Sequence, residues 1–260
     1  MMKMFVTERR NKIMELLHDK QRLTVKELSE QIGVSEATLR TDLNKMEKNG
    51  LLTRTHGGAM LNQQSEVDYD TSFSVREKQN RKEKSLIAKE AFQFIEEKQC
   101  ILLDASSTAL ELARYLNEQM IRLTVVTSGI QTALELKDNP NITVILIGGV
   151  VTKGSTTMEG TLGVELLNKL NIDILFTSAN GFSVENGMTD FNLYEVELKQ
   201  HMVKKAQKIV AVIDHSKIGV TSSAPFASTD QIDVLITNDS IDSDTERILV
   251  NHNIQVISAL

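Results

Sequence analysis

The stretch that most constrains this chain is Leu23 to Ala59, LTVKELSEQIGVSEATLRTDLNKMEKNGLLTRTHGGA, which spells two helices about a tight turn and then a glycine-bearing hairpin. Thr24 and Glu27 stand at the spacing of a capping box, and Val25, Leu28 and Ile32 fall on one side of the helix they open. Gly33 supplies the turn. Ser35 is placed to cap the second helix, where Leu39, Leu43 and Met46 recur at helical spacing and define a buried stripe. The other side carries Glu36, Thr38, Arg40, Thr41, Asn44, Lys45 and Lys48. These are hydrogen-bonding and cationic groups of the kinds that meet base edges and phosphates in a major groove. Leu51 to Thr55 reads as a strand, and His56-Gly57-Gly58 as a wing hairpin that leaves Arg54 and His56 near a nucleic-acid backbone. Taken singly, each polar residue has a plainer reading as a solvated surface group, and His56 as a turn residue. The order of turn, helix, strand and double glycine points to double-stranded DNA as the partner.

The chain's 260 residues suit two domains, one of them large enough to bury its own core. We place a winged helix-turn-helix at residues 1–60, with its first helix at Thr7 to His18 turning Ile13, Leu16 and Leu17 inward. A polar linker follows at 61–75 and an α/β domain at 76–260. No apolar run is long enough to span a membrane, and the start lacks the pattern of a signal peptide. One cysteine, Cys100, rules out an internal disulfide and a cysteine metal cluster, and reads as a buried small residue in a reducing cytosol. A cytoplasmic protein without cofactor or metal is expected. The charge is uneven: residues 1–60 carry 11 Lys and Arg against 8 Asp and Glu, while the rest carry 18 against 27. A domain of net +3 grips DNA weakly alone, so a homodimer or homotetramer presenting several such domains is expected.

A charged helix is expected from about Ser74, apolar on one side at Leu86, Ile87, Ala91, Phe94 and Ile95. From Cys100 on, strand-like runs alternate with helical stretches. The strands fall at Ile101–Leu103, Leu123–Thr127, Thr143–Ile147, Ile172–Phe176, Ile209–Ile213, Asp233–Thr237 and Gln255–Ile257. The helices fall at Thr108–Asn117, Ile130–Lys137, Gly163–Leu170, Tyr194–Ala206 and Ser243–Asn251. The fold class is α/β, a mostly parallel sheet flanked by helices. In such a sheet the C-terminal ends of the strands line one crevice. Here they supply Asp104-Ala105-Ser106-Ser107-Thr108, Ser128-Gly129, Gly148-Gly149, Ser178-Ala179-Asn180-Gly181 and Asp214-His215-Ser216-Lys217. Hydroxyls and free amides at a helix start hold a phosphate, Lys217 adds positive charge, and Asp104, Asn180 and Asp214 are suited to a sugar's hydroxyls. That set predicts a small phosphorylated polyol. Alternatively Ser106, Ser107 and Thr108 only cap a helix, the glycines only turn the chain, and Asp214 only caps a turn.

These motifs resemble the DeoR family of bacterial transcriptional regulators. The family pattern VSxxTIRRDLxxLxxxGxxxRxHGGA is met by VSEATLRTDLNKMEKNGLLTRTHGGA. EKSLIAKEA at Glu83–Ala91, ILLDASST at Ile101–Thr108, LTVVTS at Leu123–Ser128, ILIGGVV at Ile145–Val151, the ANGF and NGMTD segments of Ala179–Asp190, and VIDHSKIG at Val212–Gly219 extend the likeness over nearly the whole chain. The resemblance implies a sensor domain similar to the ribose-5-phosphate isomerase fold. It also implies a repressor of a sugar or nucleoside operon that a phosphorylated sugar releases, acting as a dimer or tetramer. It places DNA contacts on Ser35, Thr38 and Arg40, with Asp42 orienting. Thr41 replaces the family's second arginine and removes one cationic contact. In the sensor, DxGTT becomes Asp104-Ala105-Ser106-Ser107-Thr108, and the usual Thr-Asn after the second strand becomes Thr127-Ser128. GAxG becomes Ser178-Ala179-Asn180-Gly181, and Lys153 stands near the family's basic position as a second phosphate partner. The rival reading is a sugar-phosphate isomerase-like enzyme fused to a DNA-binding domain, with Asp104, Asp214 and Lys217 as acid–base groups.

Overall fold

In the computed structural model the described residues are 6–20, 22–48, 52–55, 57–60, 73–152 and 155–259. They form two compact units, Met1–Thr71 and Ser72–Leu260. The first contains α1 (Val6–Lys20), β1 (Arg22–Thr24), α2 (Val25–Ile32), α3 (Glu36–Lys48), β2 (Thr53–Thr55) and β3 (Gly58–Met60). Its core joins Ile13 and Leu17 of α1 to Leu28 and Ile32 of α2 and Leu39, Leu43 and Met46 of α3. The capping box forms: Thr24 Oγ1 accepts Glu27 N at 3.2 Å, and Glu27 Oε2 accepts Thr24 N at 2.7 Å. Gly33 ends α2 at φ 77°, a left-handed conformation that side chains resist. β1, not foreseen from the sequence, pairs with β3, so the wing is the edge of a three-stranded sheet ordered β1-β3-β2.

The second unit opens with α4 (Phe73–Lys78) and α5 (Arg81–Phe92). One helix was expected from Ser74. The chain instead breaks at Gln79-Asn80, where Asn80 takes φ 49°. The linker expected at 61–75 ends too late, since Phe73 already starts α4 and is buried; residues 61–72 lie outside the described set. Then follow β4 (Cys100–Leu103), α6 (Ser107–Asn117), β5 (Leu123–Thr127), α7 (Ile130–Leu136), β6 (Ile142–Leu146), α8 (Val164–Asn168), β7 (Ile172–Thr177), β8 (Gly181–Ser183), β9 (Gly187–Asp190), α9 (Leu193–Lys205), β10 (Ala206–Val212), β11 (Ala224–Ala227), β12 (Val234–Thr237), α10 (Ser243–Asn251) and β13 (Gln255–Ser258). Each of the seven expected strands is present.

Those seven make one sheet ordered β13-β12-β10-β7-β4-β5-β6, with every ladder parallel. Successive side chains take opposite faces. Ile101 and Leu103 therefore pack with α5 and α6 residues such as Ile87, Ala91 and Leu112, while Leu102 packs with Val196, Met202 and Leu249 of α9 and α10. Burial on both faces is why these strands read as unbroken apolar runs. After β4 the chain moves outward through β5 and β6, then returns to place β7 on the other side of β4. That reversal opens a crevice at the C-terminal ends of β4 and β7. A small antiparallel sheet, β11-β9-β8, stands beside it and was not foreseen.

Cys100 is half-buried rather than buried, and burial together with Asp173 pushes its thiol up. Among the described residues no helix is long and apolar enough to cross a membrane, and no group of His, Cys, Asp and Glu is placed to hold a metal.

Candidate functional site

Two regions gather the residues singled out in the sequence. On α3, Ser35 Oγ accepts Thr38 N at 3.3 Å and lies 2.9 Å from Thr38 Oγ1, which starts the helix. Leu39, Leu43 and Met46 are buried, leaving Glu36, Arg40, Thr41, Asn44 and Lys45 exposed and Thr38 half-exposed. Arg40 Nη2 donates to Glu36 Oε2 at 3.0 Å. An exposed pair of this kind contributes about 0.3–0.5 kcal/mol, little enough for Arg40 to exchange Glu36 for a stronger acceptor. Asp42 faces inward, accepting Arg9 Nε at 2.5 Å and Arg10 Nε at 3.1 Å, and so holds α1 on α3.

Arg54 Nη1 donates to Asn44 Oδ1 at 2.7 Å and its Nε to Gly58 O at 3.1 Å, so it braces the wing against α3. The same bond occupies the carbonyl of Asn44. Thr41 Oγ1 is satisfied within the helix by Ala37 O at 3.1 Å. His56 lies outside the described residues, as does the side chain of Lys48.

The second region is the crevice at the end of β4 and β7, and its floor is charged. Asp104 is fully buried. Its Oδ1 accepts Ser106 N at 3.0 Å, and its Oδ2 accepts Thr177 Oγ1 at 2.7 Å and Ser178 N at 3.0 Å. Lys199 Nζ lies 3.2 Å from the same Oδ2 and 2.8 Å from Asp190 Oδ2, and donates to Ser178 O at 2.9 Å. With both oxygens engaged by protein donors, Asp104 organises the crevice from beneath. Burial works against both charges. The Lys199 ammonium outweighs it and holds the Asp104 carboxyl below its usual range, and Asp190, Asp104 and Glu195 outweigh it for Lys199 and raise that ammonium.

Around this floor the expected residues divide. Ser106 caps α6, its Oγ accepting Ala109 N at 3.1 Å. Thr127 Oγ1 likewise accepts Gly129 N at 3.0 Å. Ser107 and Thr108 are buried in the first turn of α6, and among the described residues Thr108 Oγ1 and Ser178 Oγ have no hydrogen-bond partner. Ser128 O accepts Met158 N at 2.8 Å, and Gly149 packs on the Glu159 backbone, so the loop after β6 folds back across the end of β5 while Gly148 stays exposed. Asn180 N donates to Thr189 O, and Gly181 pairs with Thr189 in the small sheet. Asp214 is buried and accepts Ser216 N and Oγ and Asn80 Nδ2, with Lys217 Nζ 3.8 Å away. Lys153 lies outside the described residues.

The sequence did not single out Asp190, Lys199, Glu195, Glu159, Lys84 or Arg76. Asn192 Nδ2 bridges Glu159 Oε1 at 3.2 Å and Glu195 Oε1 at 3.5 Å at the start of α9. Burial, reinforced by Asp190, raises the Glu195 carboxyl from 4.5 to about 7. The folded state therefore holds this proton where the unfolded chain has lost it, and stability falls as pH rises between those values. Glu195→Gln is expected to melt with the parent at pH 4.5 and to gain on it through the window. Above pH 7 the gain should level at about 1–3 kcal/mol, allowing for partial solvent screening. Thermal melts of both proteins across that range check this; parallel curves would refute it.

Comparison with known proteins fits both regions. Residues 9–65 match the model of the DeoR-like helix-turn-helix domain and residues 79–239 that of the DeoR C-terminal sensor domain. The chain is 50% identical to the HTH-type transcriptional regulator GolR of Listeria innocua over 92% of each chain. It is 32% identical to the HTH-type transcriptional repressor GlcR of Bacillus subtilis over 90% of this chain and 89% of that one. A solved ribose-5-phosphate isomerase in complex with phospho-erythronic acid overlaps 53% of this chain and 54% of its own at 18% identity, with a TM-score of 0.41, a slight likeness. With both units matched and a half-identical relative spanning most of its length, the chain belongs to the DeoR family of DNA-binding transcriptional regulators.

Proposed function

We propose that the protein represses a sugar uptake or catabolism operon and is released from its operator by a phosphorylated sugar. The observation that carries this reading is the union in one chain of an exposed polar α3 face beside a wing and a strand-end crevice with buried, unpartnered hydroxyls and cationic side chains. Ser35, Thr38, Arg40 and Lys45 meet the operator. Thr108, Ser107, Ser178, Asn180 and Lys217 meet the ligand. Repression is supported by the name of GlcR. Several winged domains act together as a homodimer or homotetramer, because one domain of net +3 releases few counterions on binding.

Release requires the ligand to bind the two arrangements of the assembly with different affinity. A hundredfold loss of operator affinity corresponds to about 2.7 kcal/mol of coupling. The test is to titrate polyol phosphates, from triose to hexose length, against the protein bound to DNA from its own upstream region. At least one is expected to weaken the complex about a hundredfold, while the same polyol without phosphate leaves it unchanged. If none shifts DNA affinity of the folded protein, the sensor reading fails.

A further inference from the structure

The charges at the Asp214 side of the crevice do not balance. Lys84 of α5 is buried, and its Nζ donates to Arg76 O at 2.6 Å and Gln79 O at 2.7 Å, pinning the C-terminal end of α4. Asn80, in its left-handed conformation, donates Nδ2 to Asp214 Oδ1 at 3.1 Å and ties the α4–α5 break to the loop after β10. Lys217 pairs only loosely with Asp214, at 3.8 Å. Arg76 stands among these groups. Among the described residues its guanidinium has neither an ion pair nor a hydrogen-bond partner, and its Nε is buried. Its neighbours differ. Glu77 pairs with Arg114, and Arg81 Nε lies 3.1 Å from Glu111 Oε1, so each of these two charges has a counter-ion.

The imbalance also appears in the ionisation of the cluster. Burial, with Lys217 and Arg76 adding repulsion, lowers the Lys84 ammonium to about 8. Burial likewise depresses Lys217, with Arg76 and Lys199 adding to the effect against the pull of Asp214. Glu195, a carboxyl that also feels Arg76, is raised to about 7 by burial and by Asp190. A buried guanidinium nitrogen without an acceptor destabilises a fold. The planar fork of an arginine suits bidentate contact with a phosphate or carboxylate.

We propose that Arg76, flanked by Lys84 and Lys217, completes the anion-binding side of the effector crevice, so that the ligand's charged group is gripped from α4. This rests on the reading of the crevice as an effector site and adds a residue and a route to it. α4 is the first described element after the wing, only residues 61–72 separating it from Met60. An anion that holds Arg76 thus acts on the segment from which the chain runs back to the DNA-binding unit. Lys84 joins the two elements: its ammonium holds the Arg76 and Gln79 carbonyls and faces the same cationic cluster.

The test uses the full chain and two probes, inorganic phosphate and the polyol phosphate series, read by calorimetry and by thermal shift. Arg76→Gln is expected to weaken the binding of both probes about tenfold or more, and Arg76→Lys to restore part of it. Lys82→Gln, on the exposed side of α5, is expected to leave binding unchanged. Unliganded Arg76→Gln should bind operator DNA as the parent does, which shows that it is folded; if it does not fold, Arg76→Lys and Arg76→His carry the comparison. Parent-like phosphate affinity in a folded Arg76 variant overturns the proposal and leaves the effector reading standing. A parent protein that binds neither probe overturns both.

Discussion

Alanine in place of Gly58 is expected to unfold the wing and abolish operator binding, while the same change at Gly57 leaves both intact. A Cβ at position 58 would lie 2.0 Å from Leu23 O and 2.7 Å from Thr24 Cα. Both are backbone atoms fixed by the β1–β3 ladder, in which Thr24 stands opposite Gly58, so neither can turn aside. Relief requires β1 to leave β3, which uncovers Leu23 and Ala59 and strains the bond from Val25 N to Gly57 O at 2.9 Å. Overpacking against backbone destabilises by about 3 kcal/mol. A core in a unit of this size supplies only about 3–5 kcal/mol. At Gly57 an added Cβ meets nothing within 4 Å. Operator binding of the two variants, with hydrogen exchange over β1 and β3 in the full chain, decides the matter. Parent-like DNA affinity in Gly58→Ala would show that β1 yields.

The hairpin illustrates what the sequence makes legible. Two adjacent glycines announce a turn, and the turn was placed correctly. Which glycine is indispensable depends on β1, and β1 escapes notice because three residues with a single buried one, Leu23, leave no period to read. The long parallel strands were found for the opposite reason: each is buried on both faces and writes a continuous apolar run. The strands β8, β9 and β11 have three or four residues each and exist through pairing, with β11 joining β9 from more than thirty positions further on. The break between α4 and α5 is similarly non-local, since Asn80 holds its left-handed conformation beside Asp214, 134 positions away.

The crevice divides along the same line. Residues that follow a strand directly, such as Asp104, Ser178 and Asp214, were named because the strands were. Lys199, Asp190 and Glu195 reach the floor from α9 and the small sheet, and only the return of β7 beside β4 brings them under Asp104. One signal was available. Lys199 interrupts a run of buried residues, Val196, Leu198, Met202 and Val203, and a lysine on the apolar side of a helix must have a buried partner.

That partner relationship yields the other large effect. Lys199→Met is expected to destabilise the second unit by about 3–5 kcal/mol, because methionine fills the volume but leaves Asp104 and Asp190 buried without their cation. In a unit of this size the loss lowers the melting temperature by roughly 6–20 °C. The sign of its pH dependence follows from the same charges. Lys199 holds the Asp104 carboxyl low; without it burial dominates and raises that group, so the folded variant binds protons the unfolded chain releases. The deficit should therefore widen as pH rises from the acid side and shrink when the carboxyls protonate. Adding Asp104→Asn and Asp190→Asn to Lys199→Met removes the uncompensated charges, and is expected to recover more than half of the lost stability although it deletes two further native residues. Denaturant titrations of parent, single and triple variants measure all three quantities. A Lys199→Met protein within about 1 kcal/mol of the parent at neutral pH would mean that solvent already neutralises the floor, since exposed ion pairs contribute no more than that.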